Sequence, residues 1–424
     1  MTEPPTPATD DPVLNVLVYD DERGRAADIK ERLEDLGRLR VTTLDDASAI
    51  LEQLEERRRR ARAKERPETP ADDELDLDSV LDAADVLVVD YDLTASEDAH
   101  AGPAETGERV AYLARAYSRC RAIVALNQYH YTKTFDLGLI GHMGSYADLN
   151  VTNDQVANPH LWGHPWDGFA PWAWPDLRAL PALQTARQAL LAERLDEPVL
   201  DVLGLSSGGL WNALSRHHLA WLSPSGRLPN DATVREVLRR GRLGLRPKDA
   251  PWDGDAGLAR FGAARLSKWL ERLVLPGQDV LVDAPHLVER LPSLRADAST
   301  RSVTDRRAEA AQVLPAVDEA HRFAGAVWLN RPVWTWPTLA EDERIAEVAD
   351  PFAPVELAER FCEDSSCFRP EADCMAFVAD VTPFSRRHVT RRAREESERR
   401  MPPYAGDFGL EGVQYQPMLN LARQ

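Results

Sequence analysis

Lysine is almost missing from this chain. Of its 51 basic residues only five are lysines, namely Lys30, Lys64, Lys133, Lys248 and Lys268. Arginine therefore carries nearly all the positive charge, and chemistry that needs an amine has few candidates. Cysteine is scarce as well, and four in 424 residues exclude a disulfide scaffold. No apolar run approaches the ~20 residues that cross a bilayer. Residues 1–12 form an acidic, proline-rich tail without the basic and apolar regions of a secretory leader. A cytoplasmic protein with no membrane partner is expected. Positive charge is also in deficit: 70 acidic residues leave a net charge of −19, which repels polyanions and argues against nucleic acid as a partner. What the chain does not lack is apolar content, 43%, enough for real cores and too much for a disordered protein. Its 424 residues suit two or three domains.

The first part alternates strands and helices. Val13–Tyr19 is an apolar run followed at once by Asp20, Asp21 and Glu22, which reads as a buried parallel strand with acids at its carboxyl end. Ile29, Leu33 and Leu36 then recur at helical spacing, with Gly37 as a stop signal. Leu39–Leu44 predicts a second strand, and a helix follows from about Ala47 into Arg57–Arg60. Residues 61–78 are polar, contain Pro67 and Pro70, and read as an exposed insertion, as does the loop Ala95–Glu105. Asp85–Val89 is the strongest strand and ends on Asp90; a helix over Thr106–Arg119 should bury Val110, Leu113, Ala114 and Tyr117. Strands at Ala122–Leu126 and near Tyr146–Val151 complete the set.

Such alternation predicts an α/β unit over residues 13–158, an open parallel sheet with helices on both faces. Residues 159–176, with Trp162, Trp166, Trp172 and Trp174 among four prolines, form a connection that packs between domains. Residues 177–424 read as a mostly α-helical output or interaction domain. Its helices are expected over Leu177–Leu195, Gly209–Leu222, Ala232–Arg240, Ala256–Leu275, Arg306–Arg322 and Val355–Cys362, and short extended pieces over Asp279–Val282 and Ala326–Leu329.

Ligand chemistry in open parallel sheets gathers at the carboxyl ends of the strands. Two strand ends here deliver acids: Asp20 and Asp21 from the first, Asp90 from the third. Clustered carboxylates repel one another, and Mg²⁺ relieves that cost because it accepts a few carboxylates and keeps several waters. The same acids also suit a structural role, capping the helix that starts near Arg23.

The segments VLVYDDE, DVLVVDYDL and TGERVAYLARAY resemble the acid pair, the phospho-acceptor strand and the following helix of bacterial response-regulator receiver domains. The likeness covers about a third of the chain, Val13–Val151. It implies a flavodoxin-like fold in which Asp90 accepts a phosphoryl group, Asp20 and Asp21 hold Mg²⁺, and the carbonyl of Asp92 is a further ligand. The family's Ser or Thr after the fourth strand is replaced by Asn127, and its Lys after the fifth strand is absent from ADLNV. Lys133, in the loop between those strands, is the only lysine between Lys64 and Lys248 and is the candidate to reach back to the site. The partners so implied are a histidine kinase or other phosphodonor, and a protein partner for the carboxyl-terminal domain. The alternative is a degenerate receiver, non-catalytic, that serves as an interaction scaffold in a larger assembly. No activity beyond receiver self-phosphorylation and dephosphorylation is expected.

Three other constellations have bland readings that outweigh functional ones. Cys362, Cys367 and Cys374, with His388 beyond them, lack C-x-x-C spacing and read as buried thiols rather than zinc ligands. Gly204–Leu222 opens on small residues but has no P-loop lysine, so Ser206 or Ser207 reads as a helix cap. Arg386–Arg400 interleaves arginine with Glu395, Glu396 and Glu398, as a solvated helix does.

Overall fold

Both parities of the central apolar runs are buried, and that decides the layering. The computed structural model of the chain describes residues 12–44, 48–65, 79–90, 93, 106–126, 145–151, 153–163, 177–206, 210–214, 216–224, 231–275, 278, 280–291, 317, 320–348, 359–362, 367–376 and 388–390. Strands β1 (Leu14–Tyr19), β2 (Leu39–Leu44), β3 (Val86–Asp90), β4 (Ala122–Leu126) and β5 (Leu149–Val151) form one sheet in the order 2-1-3-4-5. All four of its ladders are parallel. This is the flavodoxin-like doubly wound order, with helices on both faces. Helix α1 (Arg23–Glu34) covers one face and α2 (Ser48–Lys64) and α3 (Gly107–Tyr117) the other.

Side chains alternate along a strand, so the two faces can be read off by parity. Val16, Val18, Val86, Val88, Val124 and Leu126 join Ala26, Ile29 and Leu33 of α1 in one cluster. Leu17, Leu87, Val89, Ile123 and Ala125 join α2 and α3 in the other. The second cluster does not stop at α3. It continues through α5 (Leu180–Glu193) and α10 (Asp255–Trp269) to Trp328 and Val333. Helix α3 is therefore buried all round, Tyr112 and Ala116 included, where a one-faced helix was expected.

Between these lie α4 (Asn153–Val156), α6 (Val199–Val202), α7 (Leu210–Ala213), α8 (Arg216–Leu222) and α9 (Val234–Arg240). Helix α10 runs on as a π-helical stretch over Leu270–Val274. Then come β6 (Leu281–Asp283), α11 (Ala284–Arg290), β7 (Val333–Thr335), α12 (Trp336–Ala340) and α13 (Glu343–Val348). Last is a four-stranded sheet of β8 (Glu359–Cys362), β9 (Cys367–Pro370), β10 (Cys374–Ala376) and β11 (His388–Thr390), in the order 10-11-8-9.

Several expected elements differ. The helix expected over Val355–Cys362 gives way to strand from Glu359, because its partner Cys367–Pro370 offers a ladder a lone short helix cannot match. Ala326–Trp328 is a 3-10 turn rather than a strand; β6 pairs instead with β7. Helix α2 extends to Lys64, so Ala61, at the start of the expected insertion, is buried. The expected helix Arg306–Arg322 lies mostly outside the described residues, as do residues 66–78, the loop 95–105, the tail 1–11 and the arginine-rich stretch apart from residues 388–390. In the tryptophan-rich connection Trp162 is buried in the α1-side core and donates to the Val156 carbonyl at 2.8 Å, as packing requires; Trp166, Trp172 and Trp174 lie outside the described residues.

Candidate functional site

The sheet order reverses direction between β1 and β3, and the crevice at that switch point is where ligands of such sheets sit. Asp20 and Asp21 follow β1 and Asp90 ends β3, so the crevice is acidic by construction. One carboxylate oxygen from each of the three lies within 4.8 Å of the others. Among the described residues this is the one group of three or more acids, histidines or cysteines so arranged. Asp20 and Asp90 are almost fully buried, at 2% and 1% exposure.

Local structure fixes these groups. The Asp20 carboxylate accepts the Glu22 backbone N–H at 2.9 Å, turning the chain into α1. Glu22 is itself the residue that caps α1, with no side-chain cap bond, so Asp20 does part of the capping work expected of it while its second oxygen faces the crevice. Burial drives the Asp20 carboxyl up to about 6; the Glu22 N–H and Arg25 pull it down, and Asp21 and Glu22 push it up further. A buried acid that is hard to ionise is one that gains from a nearby cation.

That cation is present, and nothing in the sequence singles it out. Arg25, in the first turn of α1, places Nη1 2.9 Å from Asp90 Oδ2 and 3.5 Å from Asp20 Oδ2, and its Nη2 pairs with Glu22. Burial opposes the charge on Arg25, but Asp20, Asp90 and Glu22 together raise its pKa above the ordinary value. The guanidinium spans two of the three carboxylates that a divalent ion would bridge.

Three carboxylate oxygens within 4.8 Å fit an octahedral ion with ~2.1 Å bonds after small rotations, since trans ligands then stand ~4.2 Å apart. Asp20, Asp21 and Asp90 could hold Mg²⁺, with Arg25 displaced toward Glu22. The other residues expected here, Asp92, Asn127 and Lys133, lie outside the described residues.

The cysteines fall into two kinds. Cys120 is fully enclosed, and burial pushes its thiol up to about 12, as for an inert core residue. Cys362, buried, and Cys374, half-buried, share a hydrogen bond between their thiols; that bond first, then burial, holds the Cys374 thiol protonated. His218 is buried and its carbonyl accepts from Trp269, so it serves the core; Ser207 lies outside the described residues. A further buried set went unread in the sequence: Asp283 accepts from Arg331 at 2.7 Å and pairs with His286 at 2.6 Å, clamping α11 to the segment before β7.

No model of a known protein family matches the chain, and no curated protein matches its sequence. Among the described residues no helix is long and apolar enough to cross a membrane.

Proposed function

We propose that residues 13–158 act as a response-regulator-like receiver in the cytoplasm, with Asp90 as phospho-acceptor and Asp20 and Asp21 as holders of Mg²⁺. The observation that carries this reading is the convergence of the three carboxylates at the switch point of a 2-1-3-4-5 parallel sheet. A carboxylate oxygen of Asp90 attacks phosphorus of the donor, the P–O or P–N bond to the leaving group breaks, and an acyl phosphate forms. Asp20 and Asp21 would hold Mg²⁺, which would neutralise charge on the phosphoryl oxygens. Arg25, freed from its pair with Asp90, is placed to pair with the incoming phosphoryl group, the task that the family's missing lysine would otherwise perform. The donor is a histidine kinase or a small phosphodonor.

The output side of the proposal rests on the shared core. Helix α3 is packed against α10, and a polar clamp joins the two regions: Asp249 accepts from Arg58 of α2 at 3.0 Å, from Arg62 and from the Tyr112 hydroxyl of α3. Movement at the end of β3 reaches the helical region through this contact, and the helical region then changes its affinity for a protein partner.

A second reading, a degenerate receiver that docks a partner without phosphorylation, is favoured by one feature. Arg25 already neutralises Asp90 and Asp20. Incubation with acetyl phosphate and Mg²⁺, followed by peptide mass mapping, separates the two. A base-labile phosphoryl group on the Asp90 peptide supports the receiver; no label on any acid supports the scaffold.

A further inference from the structure

The small sheet β8–β11 does something that cysteine spacing does not disclose. Cys362 stands directly opposite Cys367 in the antiparallel β8–β9 ladder and opposite His388 in the parallel β8–β11 ladder. Cys374 stands opposite Thr390, two residues from His388 on the same strand. Residues opposite each other, and residues two apart, belong to one face of a sheet. All four positions therefore share one face. Phe361 and Phe368, the adjacent ladder pair, take the other face, where their rings lie 5.7 Å apart.

The sheet also curls. Strands β9 and β10 are its two edges, a separation of about 14 Å if flat, from three gaps of ~4.8 Å. Yet only Glu371–Asp373 joins them, and those residues form a 3-10 turn, which rises only ~2 Å per residue. The edges must be drawn together. The thiols of Cys362 on β8 and Cys374 on β10 meet although β11 lies between their strands, so the sheet closes over the cysteine face. Cys362 is fully buried there.

We propose that this face binds one Zn²⁺, with Cys362, Cys374 and His388 as ligands and Cys367 in the fourth ladder position. Three thiolates and one imidazole are a complete tetrahedral set for structural zinc. Cys362, Cys374 and His388 do not yet stand as close together as the three acids of the crevice, so the imidazole turns inward on binding. Binding releases three protons, one from each thiol, as the ion takes their place. A soft thiolate site selects zinc over Mg²⁺, which keeps it chemically apart from the acidic crevice. Its role is to fasten β8–β11, a set of strands three or four residues long that are marginal by themselves.

The test uses the full chain. Protein purified without chelator, or refilled with Zn²⁺ alone, is assayed by elemental analysis and by zinc release on thiol mercuration. About one zinc per chain, released on mercuration, is the expected result. Cys362→Ser and Cys374→Ser should each lose it, while Asp90→Asn keeps it. Because a serine variant can fail to fold, wild-type protein loaded with Co²⁺ gives a second readout: thiolate-to-cobalt charge-transfer absorption and tetrahedral ligand-field bands. Zinc below about a tenth of an equivalent after refilling would overturn the site. So would cobalt spectra without thiolate bands, or an intact mass two hydrogens short, which marks a disulfide. Failure here leaves the Asp90 reading standing, since Asp90 labelling is measured independently.

Discussion

Arg25→Ala gives the sharpest view of the crevice, because it removes one cation from among three carboxylates. In the resting protein the guanidinium pairs with Asp90 at 2.9 Å and Asp20 at 3.5 Å, and is itself 17% exposed. Charge-assisted hydrogen bonds of this kind contribute ~1.5–3 kcal/mol. Mg²⁺ must displace them before it can bridge the same oxygens. Their removal should tighten Mg²⁺ binding by about 10- to 100-fold, ~1.4–2.8 kcal/mol. The same substitution should destabilise the metal-free protein by about 2–3 kcal/mol near neutral pH, since the buried acids lose their counter-charge. The loss has a sign in pH. Asp20 already sits at about 6 in the folded protein against 3.8 as its ordinary value, so stability falls as pH rises through that window. Without Arg25 the carboxyl rises further and the fall extends to higher pH. Calorimetric Mg²⁺ titration and urea melts at several pH values, with and without Mg²⁺, measure both effects. Unchanged Mg²⁺ affinity, with a stability loss that Mg²⁺ does not restore, would refute the reasoning.

Three further expectations concern the frame around the site. Asp249→Ala removes a carboxylate with no exposed side-chain surface that holds Arg58, Arg62 and Tyr112, and should cost about 3–5 kcal/mol in urea unfolding, with Asp249→Asn costing less; equal stability would show that the clamp is idle. Glu108 is driven up to about 7 by burial against the pull of Lys268, Arg246 and Arg265, from an ordinary 4.5, so the folded chain keeps a proton that the unfolded chain releases. Wild type should therefore lose about 1–3 kcal/mol of stability between pH 4.5 and 7 that Glu108→Gln does not, and parallel pH profiles would contradict this. Gly204 has φ +70°, and a Cβ there would stand 2.6 Å from the Gly325 nitrogen, so Gly204→Ala should destabilise by ~2–4 kcal/mol in thermal melts; a neutral effect would mean the two segments separate freely.

The legible parts of this chain are those where contrast is high. Leu14–Tyr19 and Val86–Asp90 stand out because nearly every residue is apolar and acids follow or end the run. They became neighbouring strands, with their acids brought together at the switch point. Arg25 offered no such contrast. It is one arginine among many, in a helix whose neighbours Arg23 and Arg32 look the same, and only tertiary placement aims it at Asp90. Helix α3 was legible as a helix but not as a buried one, because its second cover, α10, lies far along the chain at Asp255–Trp269. The cysteine sheet was illegible for a related reason. Spacing along the chain gives no hint of ladder register, and Leu357, Ala358 and Phe361 mimic helical periodicity at the point where β8 forms.

The central claim is that Asp90 is a phosphoryl acceptor served by Mg²⁺ at Asp20 and Asp21. Beryllium trifluoride, which mimics a phosphoryl group on a carboxylate, tests it without turnover. Fluorine NMR of the full chain with beryllium fluoride should show protein-bound resonances when Mg²⁺ is present. They should vanish on chelation and in Asp90→Asn, and weaken in Asp20→Asn. Absence of bound resonances at saturating Mg²⁺, or bound resonances that survive Asp90→Asn, would contradict the account.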